Sequence, residues 1–159
     1  MIEVDERIEK HRLFWQRTNS KPLVGFSIGD YFVSRRFRAA ETFLSSPRKI
    51  EPEMLDVPAF EADYRRMAEE AAAVPQDVFF TATPFTGIPW MEGMLGCPIY
   101  SRESSFIAKS PGLPLEELDL EKLFDRRWLD KYLEFTRMLA GLDIELLPVG
   151  QPIMRGPTD

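Results

Sequence analysis

The stretch LPVGQPIMRGPTD, from Leu147 to Asp159, indicates an apolar strand, a loop and the cap of a helix. Thr158 or Asp159 would accept hydrogen bonds from the first free backbone N–H groups of that helix. No helix follows the cap, so we expect this chain to be the front part of a larger domain. Any activity inferred from the sequence would then belong mainly to the parent protein.

The composition predicts a folded cytoplasmic protein. Of the 159 residues, 44% are hydrophobic and 12% are aromatic, which suffices for one domain with a core. The net charge of -6 argues against a nucleic-acid backbone as the main partner, because phosphate binding needs a basic face. No apolar run approaches the roughly 18 to 20 residues that span a bilayer. The single cysteine, Cys97, agrees with a reducing compartment.

Strand and helix patterns alternate along the chain. Short apolar runs bounded by turn residues predict three strong strands and one weaker strand, at 23–28, 78–82, 144–149 and 106–108. Apolar side chains at helical spacing predict three longer helices, over 4–15, 60–74 and 128–142. Shorter helices are predicted within 34–44 and 83–100.

This alternation predicts a parallel sheet built from βαβ units. Three strong strands cannot close a (β/α)₈ barrel, which uses eight strands in about 250 residues. We therefore predict an α/β fold, and this chain would supply somewhat under half of such a barrel. Residues 1–159 would form a single partial domain, with a helical arm at 1–20 and the first βα units at 21–159.

Two motifs carry a family resemblance. IPWMEGMLGCPI, from Ile88 to Ile99, is followed later in the chain by LPVGQPIMRGPTD. Together with PLVGF, from Pro22 to Phe26, they resemble the uroporphyrinogen decarboxylase-like superfamily over nearly the whole chain. The resemblance implies that this chain is the N-terminal part of a (β/α)₈ TIM barrel, incomplete in this chain. It also implies one of two chemistries. One is decarboxylation of the acetate arms of uroporphyrinogen without a cofactor, and the other is zinc-dependent methyl transfer between a corrinoid and a thiol.

The motifs are more similar to the corrinoid-linked methyltransferase branch. Decarboxylases carry a motif like RQAGRY after the first strand, where this chain has GDYFVSRRF (Gly29 to Phe37). An aspartate in a decarboxylase motif like FSDI has no clear counterpart in TATPFTG (Thr81 to Gly87). The resemblance therefore implies a zinc- and corrinoid-linked methyltransferase in full-length form, with the fragment itself inactive. Its zinc ligands, a His-x-Cys pair and a later Cys, would lie beyond Asp159.

Five residues are candidates for contact with a substrate or cofactor: Asp30, Tyr31, Trp90, Glu92 and Arg155. Asp30 and Tyr31 follow the first predicted strand, and active sites of such barrels collect at the carboxyl ends of strands. The alternative role for Asp30 is turn formation. Arg155 follows the third strong strand, where it could meet an anion or an acidic partner loop.

Trp90 could form an apolar wall for a flat macrocycle, to which Glu92 would add a polar contact. Packing of the short helix onto the barrel rim would explain the same residues. Three neighbouring arginines could pair with carboxylates of a tetrapyrrole or corrinoid, or could form a solvated surface: Arg35, Arg36 and Arg38.

The sequence assigns no catalytic residue, metal ligand or cofactor within this chain. A catalytic zinc site needs about three protein ligands, and the chain offers only His11 and Cys97 as imidazole and thiolate donors. We expect His11 to be a core or hydrogen-bonded histidine and Cys97 to be a buried structural thiol.

Two alternative functions stay open. One is uroporphyrinogen decarboxylation in porphyrin biosynthesis, and the other is a non-catalytic, oligomerising or partner-binding role. An unfinished parallel sheet exposes an edge and apolar faces that must be covered. We therefore expect a homo-oligomer or a complementing segment, with a tetrapyrrole or a corrinoid protein as further partner, and neither nucleic acid nor membrane.

Overall fold

The computed structural model describes residues 4–27, 29, 33–117, 119–144 and 147–152. Six α-helices are present in these ranges: α1 (Val4–Trp15), α2 (Glu41–Leu44), α3 (Glu61–Ala72), α4 (Trp90–Met94), α5 (Leu120–Leu123) and α6 (Arg126–Ala140). Three strands accompany them: β1 (Lys49–Ile50), β2 (Ile99–Arg102) and β3 (Ser105–Ala108). Short 3₁₀ turns connect these elements at Val33–Arg36, Arg38–Ala40, Pro52–Met54, Val57–Phe60 and Leu115–Glu117.

The strands form an antiparallel sheet in the order β1-β2-β3. Ile50 pairs with Ile99 between β1 and β2, and Arg102 pairs with Ser105 at the turn of the β2–β3 hairpin. Ile50, Ile99 and Phe106 point into the core and are buried. The sheet therefore uses one face for packing, as alternating burial along β2 requires.

The predicted partial (β/α)₈ barrel is wrong. The described part of the chain has only this antiparallel sheet, and the segments at 23–27 and 78–82 form no strand ladder. In the segment at 23–27, side chains accept two of the main-chain hydrogen bonds. The N–H of Val24 donates to Asp77 Oδ2, and that of Phe26 donates to Gln76 Oε1. Residues 28, 145 and 146 of the predicted strands lie outside the described ranges.

The prediction of the longer helices is confirmed with small shifts of their ends. Helix α1 has the predicted bounds, and α3 lies inside the predicted 60–74. Helix α6 begins two residues earlier than predicted, because the Asp125 side chain caps it by accepting the Arg127 N–H at 3.0 Å. The predicted helix within 34–44 is divided between two 3₁₀ turns and α2. The short predictions within 83–100 and at 106–108 correspond to α4 and β3.

A cluster of aromatic rings fills the core. Phe85 lies at its centre, with its ring centroid 4.9 Å from that of Phe37, 5.0 Å from Phe60 and 5.5 Å from Phe106. Phe135 of α6 reaches the same cluster by an edge contact with Phe60. Each buried aromatic ring removes about 150 to 250 Å² from water, so this cluster joins α6, the hairpin and the 3₁₀ turn at Val57–Phe60 that precedes α3.

Within the residues that the structure describes, no helix has the length and apolar character needed to cross a membrane.

Candidate functional site

A parallel bridge joins two of the segments that the sequence predicts to be strands. The N–H of Ala82 donates to the carbonyl of Pro148 at 2.9 Å, and the N–H of Gly150 donates to the carbonyl of Ala82 at 2.8 Å. Because both segments run in the same direction, the residues that follow them leave at one edge. We call residues 83–87 and 150–152 the bridge end.

Tyr64 of α3 holds one half of the bridge end in place. Its hydroxyl donates to the carbonyl of Thr83 at 2.6 Å. Burial raises the pKa of Tyr64, with a smaller contribution from neighbouring Asp63, so the hydroxyl keeps its proton and stays a donor. The bridge end is thereby tied to a helix that packs in the aromatic core.

A close approach of backbone and side chain brings the two halves of the bridge end together. A Cβ atom on Gly150 would lie 3.0 Å from the methyl carbon of Thr81 and 3.7 Å from that of Thr83. Glycine therefore lets the segment at 150–152 pass close beside the segment at 81–83.

The bridge end is polar but carries no charged side chain. Its side-chain hydrogen-bonding groups are the hydroxyls of Thr83 and Thr86 and the amide of Gln151. Thr86 and Gln151 are exposed, and Thr83 is half-buried. Hydroxyl and amide groups both donate and accept hydrogen bonds. Each of these groups can therefore exchange hydrogen bonds with a neutral amide or hydroxyl group.

Trp90 lies in the core rather than at an open surface. It is 1% exposed, and its indole N–H donates to the carbonyl of Phe85 at 3.0 Å. Its ring makes edge contacts with Trp128, Tyr132 and Phe135, at centroid distances of 5.9, 5.5 and 5.8 Å. These contacts cover the ring on several sides.

Glu92 and Cys97 lie at opposite ends of the turn that closes α4. The N–H of Cys97 donates to the carbonyl of Glu92 at 2.9 Å. Burial raises the pKa of the Cys97 thiol, and the negative charge of Glu92 raises it further. A thiol with a raised pKa is a weak nucleophile at neutral pH. The other three predicted site residues, Asp30, Tyr31 and Arg155, lie outside the described ranges.

The glycines of the PWMEGMLGCPI motif serve packing. A Cβ atom on Gly93 would lie 3.0 Å from the Trp128 ring, so α4 packs closely on α6 there. Gly96 has a φ of +77°, and a Cβ on it would lie 2.5 Å from the carbonyl oxygen of Leu123. The motif on which the family resemblance rests is therefore a set of residues that fixes the position of α4.

Arg36, one of the arginines after the first predicted segment, has a charged neighbour within the protein. The Arg36 guanidinium lies 3.8 Å from the Glu70 carboxylate, and burial lowers its pKa. Arg66 pairs with Asp63 at 3.1 Å and with Glu70 at 2.9 Å. Asp63 also accepts the N–H of Ala39 at 3.0 Å, so this network joins α3 to the 3₁₀ turns before it.

The described residues do not fit a zinc site. They contain no group of three or more His, Cys, Asp or Glu side chains placed to hold a metal ion. His11 instead lies on α1, with its Nε2 3.1 Å from the carbonyl oxygen of Asp77 and its ring 5.4 Å from that of Phe79. His11 therefore takes part in the contact between α1 and the segment at 77–79.

Sequence reasoning missed Thr83, Thr86 and Gln151. The signal was present, because these residues follow the segments at 78–82 and 144–149 within four positions. The rule that selects Asp30 and Tyr31, that functional residues follow strands, selects these three as well.

No protein-family model matches this chain, and neither a curated protein nor a solved structure matches it. A functional argument for the chain therefore rests on its own residues and on their geometry.

Proposed function

We propose that the chain is the N-terminal portion of a uroporphyrinogen decarboxylase-like enzyme, closest to the corrinoid-linked methyltransferases, and that its contribution is binding. The observation that carries the proposal is the parallel bridge between Ala82 and Val149, which gathers uncharged hydrogen-bonding groups at one edge. A corrinoid bears neutral amide side chains around its ring. Threonine hydroxyls and a glutamine amide match such groups as donors and acceptors.

The same edge is poorly suited to uroporphyrinogen. That substrate carries eight carboxylates, which arginine or lysine side chains normally bind. The described residues of the bridge end have no cation, and the whole chain has a net charge of -6. A polyanion would therefore be repelled at long range and would find no ion pair among the described residues of the bridge end. This difference favours methyl transfer over decarboxylation.

The chemistry of methyl transfer would come from groups outside the described residues. Bound zinc lowers the pKa of a thiol and so supplies a thiolate nucleophile. Because these residues do not fit a zinc site, no catalytic step is assigned to them. We place the protein in the cytoplasm, where its single cysteine, Cys97, would stay reduced.

Equilibrium dialysis of the chain against hydroxocobalamin, with uroporphyrin as the polyanionic comparison, tests this proposal. We expect hydroxocobalamin to bind and uroporphyrin not to bind. Gln151→Ala should weaken binding roughly two- to tenfold, the effect of one neutral hydrogen bond. Gln16→Ala, at an exposed glutamine in the turn after α1, should leave binding unchanged. Binding of uroporphyrin alone would favour the decarboxylase, and binding of neither would overturn the proposal.

A partner-binding role is a second candidate, favoured by exposed apolar side chains on the segments at 23–27 and 147–149. Val24, Phe26 and Val149 are 46%, 57% and 38% exposed. A complementing polypeptide segment would bury them. If they form one uncovered apolar surface, Phe26→Ser should lower the fluorescence of bound anilinonaphthalene sulfonate, and Phe124→Ser should not. An unchanged signal in Phe26→Ser would contradict this role.

A further inference from the structure

Helix α1 lies against the segment that leads into the parallel bridge, and polar side chains hold it there. Lys10 Nζ lies 2.9 Å from Asp77 Oδ1, and His11 Nε2 lies 3.1 Å from the Asp77 carbonyl oxygen. Arg7 donates a hydrogen bond to the carbonyl of Val78. Arg7, Lys10 and His11 are three and four positions apart, so they share one face of the helix.

The same face of α1 covers the ring of Phe79. The guanidinium of Arg7 lies over this ring, 4.2 Å from its centroid, and the centroid of the His11 ring lies 5.4 Å from it. The apolar side chains that pack against the core cluster include Phe80 but not Phe79. Phe79 is half-buried, and removal of α1 would leave a face of its ring in contact with water.

The apolar contribution to this contact is small. None of the 12 residues of α1 is buried. Val4 and Leu13 are half-buried, whereas Ile8 and Trp15 are 48% and 79% exposed. A helix in a globular protein normally gains most of its stability from an apolar face that packs on the core. Polar and cation–π contacts therefore have a large share in holding α1.

One polar group in this contact is buried without a partner. Arg7 Nε has no hydrogen-bond partner among the described residues. A buried N–H group in this state has lost its hydrogen bonds to water and has gained none in exchange. Undocking of α1 would return this group to water. The docked arrangement therefore carries an energetic cost that the undocked arrangement does not.

We propose that α1 is a strap, which undocks as a unit while the aromatic core stays folded and thereby uncovers the ring of Phe79. Isolated helices shorter than about 12 to 15 residues are marginal in water, so the undocked helix unravels. Residues 16–18 and 20–22, which follow α1, are exposed and can move with it. Local opening of this kind occurs where a segment has few buried apolar contacts.

Undocking enlarges an exposed apolar surface. The N–H of Asp77 donates to the carbonyl of Val24 at 2.8 Å, so the contact site of α1 adjoins the segment at 23–27. Val24 and Phe26 of this segment are already exposed. Phe79 is two positions from Asp77, and its uncovered ring adds to these side chains. A role of the strap in regulating partner binding rests on the partner-binding role proposed above, but the undocking itself does not.

Hydrogen exchange at two salt concentrations tests the undocking. Salt screens partly exposed ion pairs, and one such pair changes an equilibrium constant by only a few fold. Between about 50 mM and 1 M sodium chloride, amide exchange in α1 should accelerate roughly two- to fivefold, while exchange in α3 and α6 stays unchanged. Exchange that accelerates equally in all three helices, or in none of them, would overturn the proposal.

Asp77→Asn removes the charge opposite Lys10 without changing α1. Asparagine keeps an oxygen that can accept the Val24 N–H, as Asp77 does. Exchange in α1 should be faster than in the unchanged protein at low salt and should respond less to added salt. Asp143→Asn, at an exposed aspartate, is the matched control. A salt response equal to that of the control would assign the effect to ion pairs within α1 and would overturn the proposal.

The uncovering of Phe79 has its own readout. Bound anilinonaphthalene sulfonate should fluoresce more strongly with Asp77→Asn than with Asp143→Asn, because more of the protein is undocked. Phe79→Ala in the Asp77→Asn background should remove this increase. No increase, or an increase that persists without the ring, would overturn the proposal. Circular dichroism checks that each variant stays folded, and neither readout needs a partner, so both are independent of the partner-binding role.

Discussion

The ammonium group of Lys10 lies 2.9 Å from Oδ1 of Asp77, and Oδ2 of the same carboxylate accepts the N–H of Val24 at 2.9 Å. Asp77 therefore joins α1 and the segment at 23–27 to the segment at 78–82, which ends in the parallel bridge. Lys10 also pairs with Glu6 at 3.0 Å, which orients its side chain along the helix. The position of the N-terminal helix thus depends on a partly exposed polar contact and on little apolar burial.

We expect Lys10→Met to loosen α1 without unfolding the core. The substitution keeps most of the apolar stem of the side chain and removes the charge that contacts Asp77. Amide hydrogen exchange within α1 should accelerate severalfold, while exchange in α3 and α6 stays unchanged. Lys21→Met, at an exposed lysine, is the matched control. Equal exchange in α1 of the two variants would contradict the role of the Lys10–Asp77 contact.

The same contact should depend on pH in a defined direction. The hydrogen bond from Lys10 lowers the pKa of Asp77 below its ordinary 3.8, and the Val24 N–H lowers it further. The stabilisation is therefore complete above pH 3.8 and is lost as the pH falls through the lower pKa of the folded protein. The contact with Asp77 also raises the pKa of Lys10 above 10.5, so the stabilisation is lost again only at higher pH.

An NMR titration of the Asp77 carboxyl group measures this shift. In Lys10→Met the pKa of Asp77 should move upward toward 3.8, because the largest cause of its depression is gone. The Val24 hydrogen bond should keep part of the shift. An unchanged pKa in Lys10→Met would mean that Lys10 does not stabilise the carboxylate.

Gly96→Ala should destabilise the protein by more than a positive φ alone explains. Gly96 and Gly112 have φ values of +77° and +74°, but a Cβ on Gly112 would have no neighbour within 4 Å. Gly112→Ala should therefore cost about 1 kcal/mol of unfolding free energy for the backbone conformation. Gly96→Ala adds a 2.5 Å contact with a backbone oxygen, and should cost about 2 to 4 kcal/mol. Urea denaturation of the two variants gives the difference, and equal costs would contradict this packing.

Phe85→Ala should remove the centre of the aromatic core. Phe85 is fully buried and contacts the rings of Phe37, Phe60 and Phe106. Truncation of such a side chain costs about 3 to 5 kcal/mol of unfolding free energy. Phe124→Ala, at a residue 44% exposed, should cost about 1 kcal/mol or less. A small effect of Phe85→Ala in thermal denaturation would mean that the rings are not packed as described.

Cys97 should react slowly with a disulfide reagent at pH 8. Burial raises the pKa of its thiol, and the charge of Glu92 adds to this effect. Glu92→Gln should accelerate the reaction, by less than about threefold, because the pair is partly exposed and screened. Glu103→Gln, in the turn of the hairpin, is the control. A rate in Glu92→Gln equal to that of the control would show that the Glu92 charge does not reach the thiol.

The sequence predicted the helices well, because an apolar stripe at helical spacing is a local property. Tyr64 and Met67 of α3, and Trp128, Phe135 and Leu139 of α6, are all buried as their spacing predicts. The strands were predicted poorly. The run at 78–82 is apolar in any fold, and its pairing depends on residues far along the chain.

In the candidate site, too, local sequence predicted the types of residue but not their contacts with distant parts of the chain. Trp90 and Glu92 were selected for their type, yet Trp90 became a core residue because Trp128 and Phe135 lie where α6 packs on α4. Thr83 and Gln151 are brought to one edge only by the bridge between Ala82 and Val149. Nothing in the local sequence of either segment specifies that pairing.

The sequence by itself determined the longer helices, the apolar segments between them and the residues available for a core, since these follow from local spacing and side-chain type. The tertiary structure alone decided which segments pair, which face of α1 points outward and which polar groups share an edge. Such choices depend on contacts between residues distant in sequence. In α1, the contacts of Lys10 and His11 with Asp77 turn Ile8 and Trp15 toward solvent, although its apolar residues alone predict the opposite orientation.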